Sequence, residues 1–314
     1  MSSRGPQPIS RNLHVVLKNH KGAVNVARYA KGSAKYILTG GQDRTVRLWN
    51  AASGAEIKTF AAHGYEVLSV TVAHDNAKFG SSGGDRSVFI WDVATGTTIR
   101  RLSGHMGKIH AVEFNEDASV IASGSYDSTV RLWDLRAQSR QAIQTLEEAR
   151  DTIQTLHVGP TFVIAGSVDG HVRTYDLRKG ELRSDFLGHP VTSVVPTQDA
   201  TTYLVTTLDN HVRLMDMGTG KMLNDFSGHS NESYRCRACF GYGEATVLCG
   251  DEKGLIWAWD LLDAKVMPPN PPPKAHHKVV TWTEHHPIDM SEYVTASADG
   301  TVKVWKAPST DSTE

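Results

Sequence analysis

Along this chain the hydrophobic and polar positions repeat with a long period. Seven times a Val or Ile stands three places before an anchor residue: Val46, Val88, Val130, Val172, Val212, Ile256 and Val302 precede Trp49, Trp91, Trp133, Tyr175, Met215, Trp259 and Trp305. The steps between anchors are 42, 42, 42, 40, 44 and 46 residues, so the repeat almost fills the chain. The third unit shows the pattern inside one repeat. Lys108 to Phe114 predicts a strand, Val120 to Ser123 a second, Ser125 to Ser128 a tight polar turn, and Thr129 to Asp134, rich in β formers, a third. A weaker fourth strand is predicted at the outer edge, near Gln141 to Leu146. Arg or Lys often stands two before the anchor (Arg47, Arg131, Arg173, Arg213, Lys303), which predicts strands packing one face on a neighbouring unit and laying basic stems along the other.

Units of roughly 40 to 45 residues ending in Trp-Asp are the sequence form of a β-propeller blade. The fold expected is therefore all-β, a single seven-bladed propeller over residues 12–306. Leu13 to Leu17 forms a strand signal with no blade of its own, while the last repeat stops after its third strand at Trp305. The N-terminal strand is expected to complete the final blade, which closes the ring and removes open sheet edges. The tails, 1–11 and 307–314, are rich in Ser, Pro, Thr and charge and are expected to be mobile.

Composition narrows the function classes. The chain has 314 residues, with 33 basic and 34 acidic side chains, so no global field draws in nucleic acid or an anionic membrane. Direct sequence-specific nucleic-acid binding is not expected. Three cysteines make no disulfide framework and suggest a reducing compartment. No signal-peptide core and no run of 18 or more apolar residues is present, so a soluble, unsecreted protein is expected, monomeric on its own and without a membrane role.

The pattern resembles the WD-repeat family over essentially the whole chain. That resemblance implies a buried polar tetrad in each blade: a His in the loop leading in, a Ser or Thr ten before the anchor, an Asp six before it, and the Trp. Imidazole, hydroxyl and indole N–H then form a satisfied chain around a carboxylate on a tight turn. Four blades match in full: His20, Thr39, Asp43 and Trp49; His63, Ser81, Asp85 and Trp91; His105, Ser123, Asp127 and Trp133; His276, Thr295, Asp299 and Trp305. The middle blades depart. Blade four has Ala165, Asp169 and Tyr175; blade five has His189 and Asp209 with Val205 and Met215; blade six has His229 and Trp259 with Cys249 and Lys253. Half-made networks are costly, so blades four to six are expected to pack differently and to exchange amide hydrogens faster over 150–260 than over 20–135.

Candidate chemistry changes little. His63, Ser81 and Asp85 have the composition of a hydrolase triad, but the set recurs in several blades, and no G-x-S-x-G elbow or P-loop accompanies it. Ser82-Gly83-Gly84-Asp85 reads as the turn before a third strand. No catalytic residue and no cofactor is assigned. Cys236-Arg237-Ala238-Cys239 is a lone C-x-x-C whose thiols, on a strand, point to opposite faces; it reads as buried packing, and no metal site is assigned. Pro268 to Pro273, four prolines of it beyond the first, cannot sit in an interior ladder and reads as a stiff connection, either an outer edge strand or an extended polyproline segment. Docking of an SH3-like or WW-like partner is the alternative.

Surface remains. In WD-repeat proteins the top face is built by residues just after each leading His and just before each turn Asp, which here gives Asn25, Gln42, Glu66, Leu68, Lys108, His110, Tyr126, Gln154, Thr192, Arg235, Glu252 and Thr281. Tyr126 and Leu68 among charges of both signs suit a protein-binding patch with an aromatic anchor.

Finer sequence detail narrows the family. His63-Gly64-Tyr65-Glu66-Val67, Phe114-Asn115-Glu116-Asp117, Ala165-Gly166-Ser167-Val168-Asp169-Gly170 and, above all, Glu148-Ala149-Arg150-Asp151 in place of a Gly-His lead into blade four resemble the mitogen-activated protein kinase organizer group of WD-repeat scaffolds. The resemblance weakens from Cys236 onward. It implies a non-enzymatic scaffold whose partners are kinase-cascade or spliceosomal proteins, in cytoplasm and nucleus, and which acts by raising the effective concentration of what it holds. Trp133-Asp134-Leu135-Arg136 and Tyr175-Asp176-Leu177-Arg178 are also similar to the W-D-x-R box of substrate receptors of cullin-RING ubiquitin ligases, in which Arg136 and Arg178 would pair with a partner carboxylate.

Overall fold

The computed structural model describes residues 10–307 and arranges them as seven antiparallel sheets in a ring, six of them ordered from the centre outward as the chain runs and the seventh completed at its outer edge by the N-terminal strand. Blade one consists of Val24–Tyr29, Tyr36–Gly41, Thr45–Asn50 and Glu56–Ala61. The innermost strands of the others are Val67–Val72, Ile109–Phe114, Ile153–Val158, Val191–Pro196, Ala238–Phe240 and Val280–His285. The polar turns before the third strands share one face of the ring, the top, with the loops leading into each blade. No helix is long and apolar enough to cross a membrane.

The ring closes as its ends suggest. Leu13–Leu17 pairs antiparallel with Val302–Lys306, matching Leu13 with Trp305 and Leu17 with Val302, and so supplies the fourth strand of blade seven. The tails assigned from the sequence lie outside the described residues except for 10, 11 and 307. Of these, Ser10 is held, because its carbonyl accepts the Tyr293 hydroxyl at 2.8 Å.

The core is distributed between the blades. Trp49, Trp91, Trp133 and Trp259 are among the largest fully buried side chains, and Trp91 stacks on Phe79 with 5.7 Å between ring centres. Close approach of backbone makes glycine necessary at Gly83, where an added Cβ would lie 1.9 Å from the Glu66 carbonyl oxygen.

Two predicted elements need correction. The fourth strand of blade three is shorter than expected, Gln144–Leu146, with Ile143 N–H still donating to the Leu132 carbonyl. Blade six has three strands, Ala238–Phe240, Thr246–Gly250 and Ile256–Asp260. Its outer edge is met by scattered contacts: Val266 beside Trp259, Lys274 beside Leu255, the Ile256 N–H on the Pro273 carbonyl, the Met267 N–H on the Ala258 carbonyl and the Asp260 N–H on the Lys265 carbonyl. The proline segment between them lacks the N–H groups a ladder needs, so the edge is covered by extended chain in place of a regular strand.

Candidate protein-binding face and central channel

The site is built on the buried networks that hold the top-face turns. In blade one His20 Nε2 lies 2.6 Å from Thr39 Oγ1, which accepts the Trp49 indole N–H at 2.8 Å, and His20 Nδ1 lies 3.0 Å from Asp43. The same chain joins His63, Ser81, Asp85 and Trp91, then His105, Ser123, Asp127 and Trp133, and again His276, Thr295, Asp299 and Trp305. A hydroxyl that accepts from indole donates to imidazole Nε2, leaving Nδ1–H for the carboxylate, so one tautomer serves imidazole, hydroxyl and indole alike; in blade two the second carboxylate oxygen, Asp85 Oδ1, is buried without a partner. Burial pushes the Asp43 carboxyl up, but His20, the Thr45 hydroxyl and the Lys21 N–H together hold it well below the usual carboxylate range. Asp127 and Asp299 are held down in the same way. Ser81 is fully buried and already engaged by Trp91 and His63, so no substrate carbonyl can reach it as a nucleophile would require.

Blades four and five are not half-made. In blade four Arg173 places a bidentate fork on Asp169, at 2.8 and 3.1 Å, and also donates to Ser167 at 3.0 Å. In blade five Arg213 does the same to Asp209 and Thr207. A guanidinium from the third strand thus takes the place of the imidazole, and the hydroxyl moves from ten before the anchor to two before the Asp. The basic stems predicted to lie along the strand carry heads turned onto their own blade's turn. His189, expected in this network, stands half-exposed with Nε2 3.7 Å from Asp209.

Blade six is the blade left short. Asp251, two residues before the expected position, accepts N–H groups from Lys253 and Leu255 and the Trp257 indole at 3.0 Å. His229 is buried against the edge of Trp259, and neither ring nitrogen has a partner. Burial pushes its pKa down to about 4. Cys236 and Cys249 belong to one core cluster and Cys239 to another, all three as buried free thiols whose pKa burial raises. Among the described residues no group of three His, Cys, Asp or Glu side chains converges as a metal site.

The expected top-face residues divide into two sets. Several clasp neighbouring blades and are spent on the fold. Asn25 donates to the Val67 carbonyl at 2.8 Å, Thr281 to the Val24 carbonyl at 2.6 Å, and Thr192, buried, to the carbonyls of Thr206 and Cys236. They are second residues of innermost strands, where alternation aims the side chain at the next blade. Gln42 accepts the Ala23 N–H, and one oxygen of Glu252 accepts three successive N–H groups, from Glu232, Ser233 and Tyr234. Leu68 and Gln154 are half-buried.

The second set faces outward over blades two and three. Glu66 and Lys108 form an exposed ion pair at 2.8 Å that bridges the blades. Tyr126 is 64% exposed, and beside this pair stand Tyr65 at 63% and Met106 at 77%. Tyr126 lies over Gly107, and Tyr65 over Gly84. Tyr65 and Met106 are not among the expected top-face residues, although they stand two places after His63 and one after His105. Arg136 and Arg178 lie on the opposite face, in the loops after third strands, both exposed and each with its N–H on the aspartate two residues earlier.

At the hub, the innermost strands enclose a narrow channel crossed by charge. Arg28 of blade one places a bidentate fork on Glu113 of blade three, at 2.9 and 2.8 Å. Arg237 lies over the Trp282 ring at 4.1 Å, and Arg235 donates to the His110 carbonyl at 2.9 Å from the far side of the ring. Burial, with Arg235 and Lys108 nearby, pushes the His110 pKa down to about 4.

A ring of seven such blades, with buried Asp-centred turns and a closing N-terminal strand, defines the chain as a WD40 propeller. The family model "WD domain, G-beta repeat" matches residues 11–50, 54–92, 96–134 and 275–306, which are the blades with complete tetrads. The chain is 49% identical to WD repeat domain-containing protein 83 of Xenopus tropicalis, over 98% of each chain. It is 40% identical to the Homo sapiens protein of that name, over 91% of this chain and 89% of the relative, and 30% identical to the Dictyostelium discoideum homolog, over 92% and 96%. The chain belongs to the family of WD repeat domain-containing protein 83.

Proposed function

We propose that this chain is a non-enzymatic scaffold that assembles protein complexes on the top face of its propeller. The observation that carries the reading is the outward cluster over blades two and three, where Tyr65, Met106 and Tyr126 surround the Glu66–Lys108 pair. Large exposed aromatic and Met side chains beside a charged rim are the composition of a protein-binding hot spot. The partners proposed are kinase-cascade components, spliceosomal components or both, and the protein works in cytoplasm and nucleus; the resemblance of the Glu148-Ala149-Arg150-Asp151 lead into blade four supports this. Rigid blades then act by holding partners at high effective concentration. Affinity purification from nuclear and cytosolic fractions tests it: splicing factors, kinases or both are expected in stoichiometric amounts, and their absence from both fractions overturns the assignment.

A second reading, a substrate receptor of a cullin-RING ubiquitin ligase, is favoured by the exposure of both Arg136 and Arg178 on one face. Its test is the pair Arg136→Ala with Arg178→Ala, which should abolish pull-down of the ligase's propeller adaptor. Unchanged pull-down removes the idea.

A further inference from the structure

The channel at the hub holds more positive than negative charge. Three guanidiniums, Arg28, Arg235 and Arg237, line one partly open cavity. Two carboxylates face them. Glu113 is taken up by the Arg28 fork, while Glu284 stands 3.9 Å from both Arg28 and Arg237 and already accepts the Tyr29 N–H and the Trp282 indole. Arg235 reaches only a carbonyl. His110 and His157, with pKa values pushed down to about 4 by burial, are neutral at physiological pH and add nothing to either side. The Nε atoms of Arg28 and Arg237 are buried with no acceptor. A half-buried guanidinium without a full counter-charge leaves donors to satisfy, so the channel has room in its charge balance for one more anion at this point.

Size selects the anion. The cavity is about 30 Å³. One water-sized oxygen needs roughly 10–15 Å³, so the space accepts about two to three oxygens, which suits a carboxylate better than the four of a phosphate. Arg235 precedes Arg237 on a segment descending from the top face, and its one hydrogen bond ends on the carbonyl of His110, the second residue of the blade-three inner strand.

We infer that the channel is a receptor for a single carboxylate, a Glu or Asp side chain of an acidic peptide segment that docks on the top face and inserts between Arg235 and Arg237. The inference rests on the top-face reading above and adds the chemistry of the partner to it. Tyr65 and Tyr126 hold the segment; the channel reads its acid. Charge-assisted bonds made in a cavity of low dielectric give the recognition its strength.

The test uses the full chain labelled with ¹⁵N-arginine, following the Nε–H signals by NMR. Formate should shift the Arg235 and Arg237 signals saturably, while orthophosphate leaves them unmoved. An acetylated hexaglutamate peptide should compete with formate, and hexaglutamine should not. Arg235→Gln should weaken formate binding by about tenfold or more, the loss of one charge-assisted bond, and Arg235→Lys should restore part of it. Tyr126→Ala should weaken the peptide and spare formate. No response to formate in the wild-type protein, an equal response to orthophosphate, or formate binding unchanged in Arg235→Gln overturns the inference. If formate fails while Tyr126→Ala still strips partners from the purified complex, the top-face reading stands and the channel inference alone falls.

Discussion

Replacing Ser123 by Ala removes one oxygen from the centre of blade three. That oxygen is fully buried, accepts the Trp133 indole N–H at 2.8 Å and lies 2.7 Å from His105 Nε2. Both partners are left inside the protein without a hydrogen bond, and each orphaned group costs roughly 1–3 kcal/mol. The vacated volume is smaller than the ~30 Å³ share of a water molecule, so solvent does not refill it without the blade shifting. The expected loss is about 3 kcal/mol, a fall in melting temperature of roughly 6–12 °C for a domain of this size. Denaturant titration followed by tryptophan fluorescence measures it, with Trp133→Phe and the double variant completing a cycle. Because the Phe background has no indole N–H to strand, Ser123→Ala should cost about 1–2 kcal/mol less there. A cost below about 1 kcal/mol, or strict additivity within ~0.5 kcal/mol, would refute the view that hydroxyl, imidazole and indole act as one network.

Three further outcomes follow from the blades that differ. Arg173→Ala leaves the Asp169 carboxylate largely buried without its fork, and a loss of about 3 kcal/mol is expected in the same titration; a change under ~0.5 kcal/mol would show that the arginine does not replace the imidazole. His229 has a folded pKa near 4, below its unfolded value of about 6.5, so the unfolded chain binds the extra proton first. Stability should therefore fall as pH drops from about 6.5 to 4, by roughly 3 kcal/mol for this residue, and His229→Phe should flatten the slope over that window; an unaltered slope contradicts the assignment. Hydrogen exchange by mass spectrometry should find the fastest core strands in blade six, with blades four and five protected like blade three, and equal protection in blade six would count against its three-stranded, unsatisfied architecture.

The repeat made the ring legible: the anchors give seven blades, the unpaired Leu13 to Leu17 gives the closure, and the four full tetrads are readable because each member sits at a fixed distance from its anchor. The arginine networks of blades four and five were not readable. Arg stands two before the anchor in blades one and three as well, where imidazole holds the aspartate, so the residue type alone does not say which way its head turns. Blade six hid its Asp251 by a two-residue shift. The channel escaped because it joins residues far apart in sequence, such as Arg28 with Glu113 and Arg235 with His110, through the ring's geometry. For Asn25, Thr192 and Thr281, expected on the binding face, strand alternation turns the side chains toward the neighbouring blade, which spacing from the leading His does not reveal.

Cross-linking mass spectrometry on complexes purified from cells bears most directly on the top face as the surface of assembly. Lys21, Lys108, Lys253 and Lys278 are exposed reporters on that face, and Lys35, Lys179, Lys221 and Lys265 are exposed on the opposite one. Links from partners should concentrate on the first four and vanish in a folded Tyr65→Ala/Tyr126→Ala variant. Partner links confined to the second four, or undiminished in that variant, would contradict it.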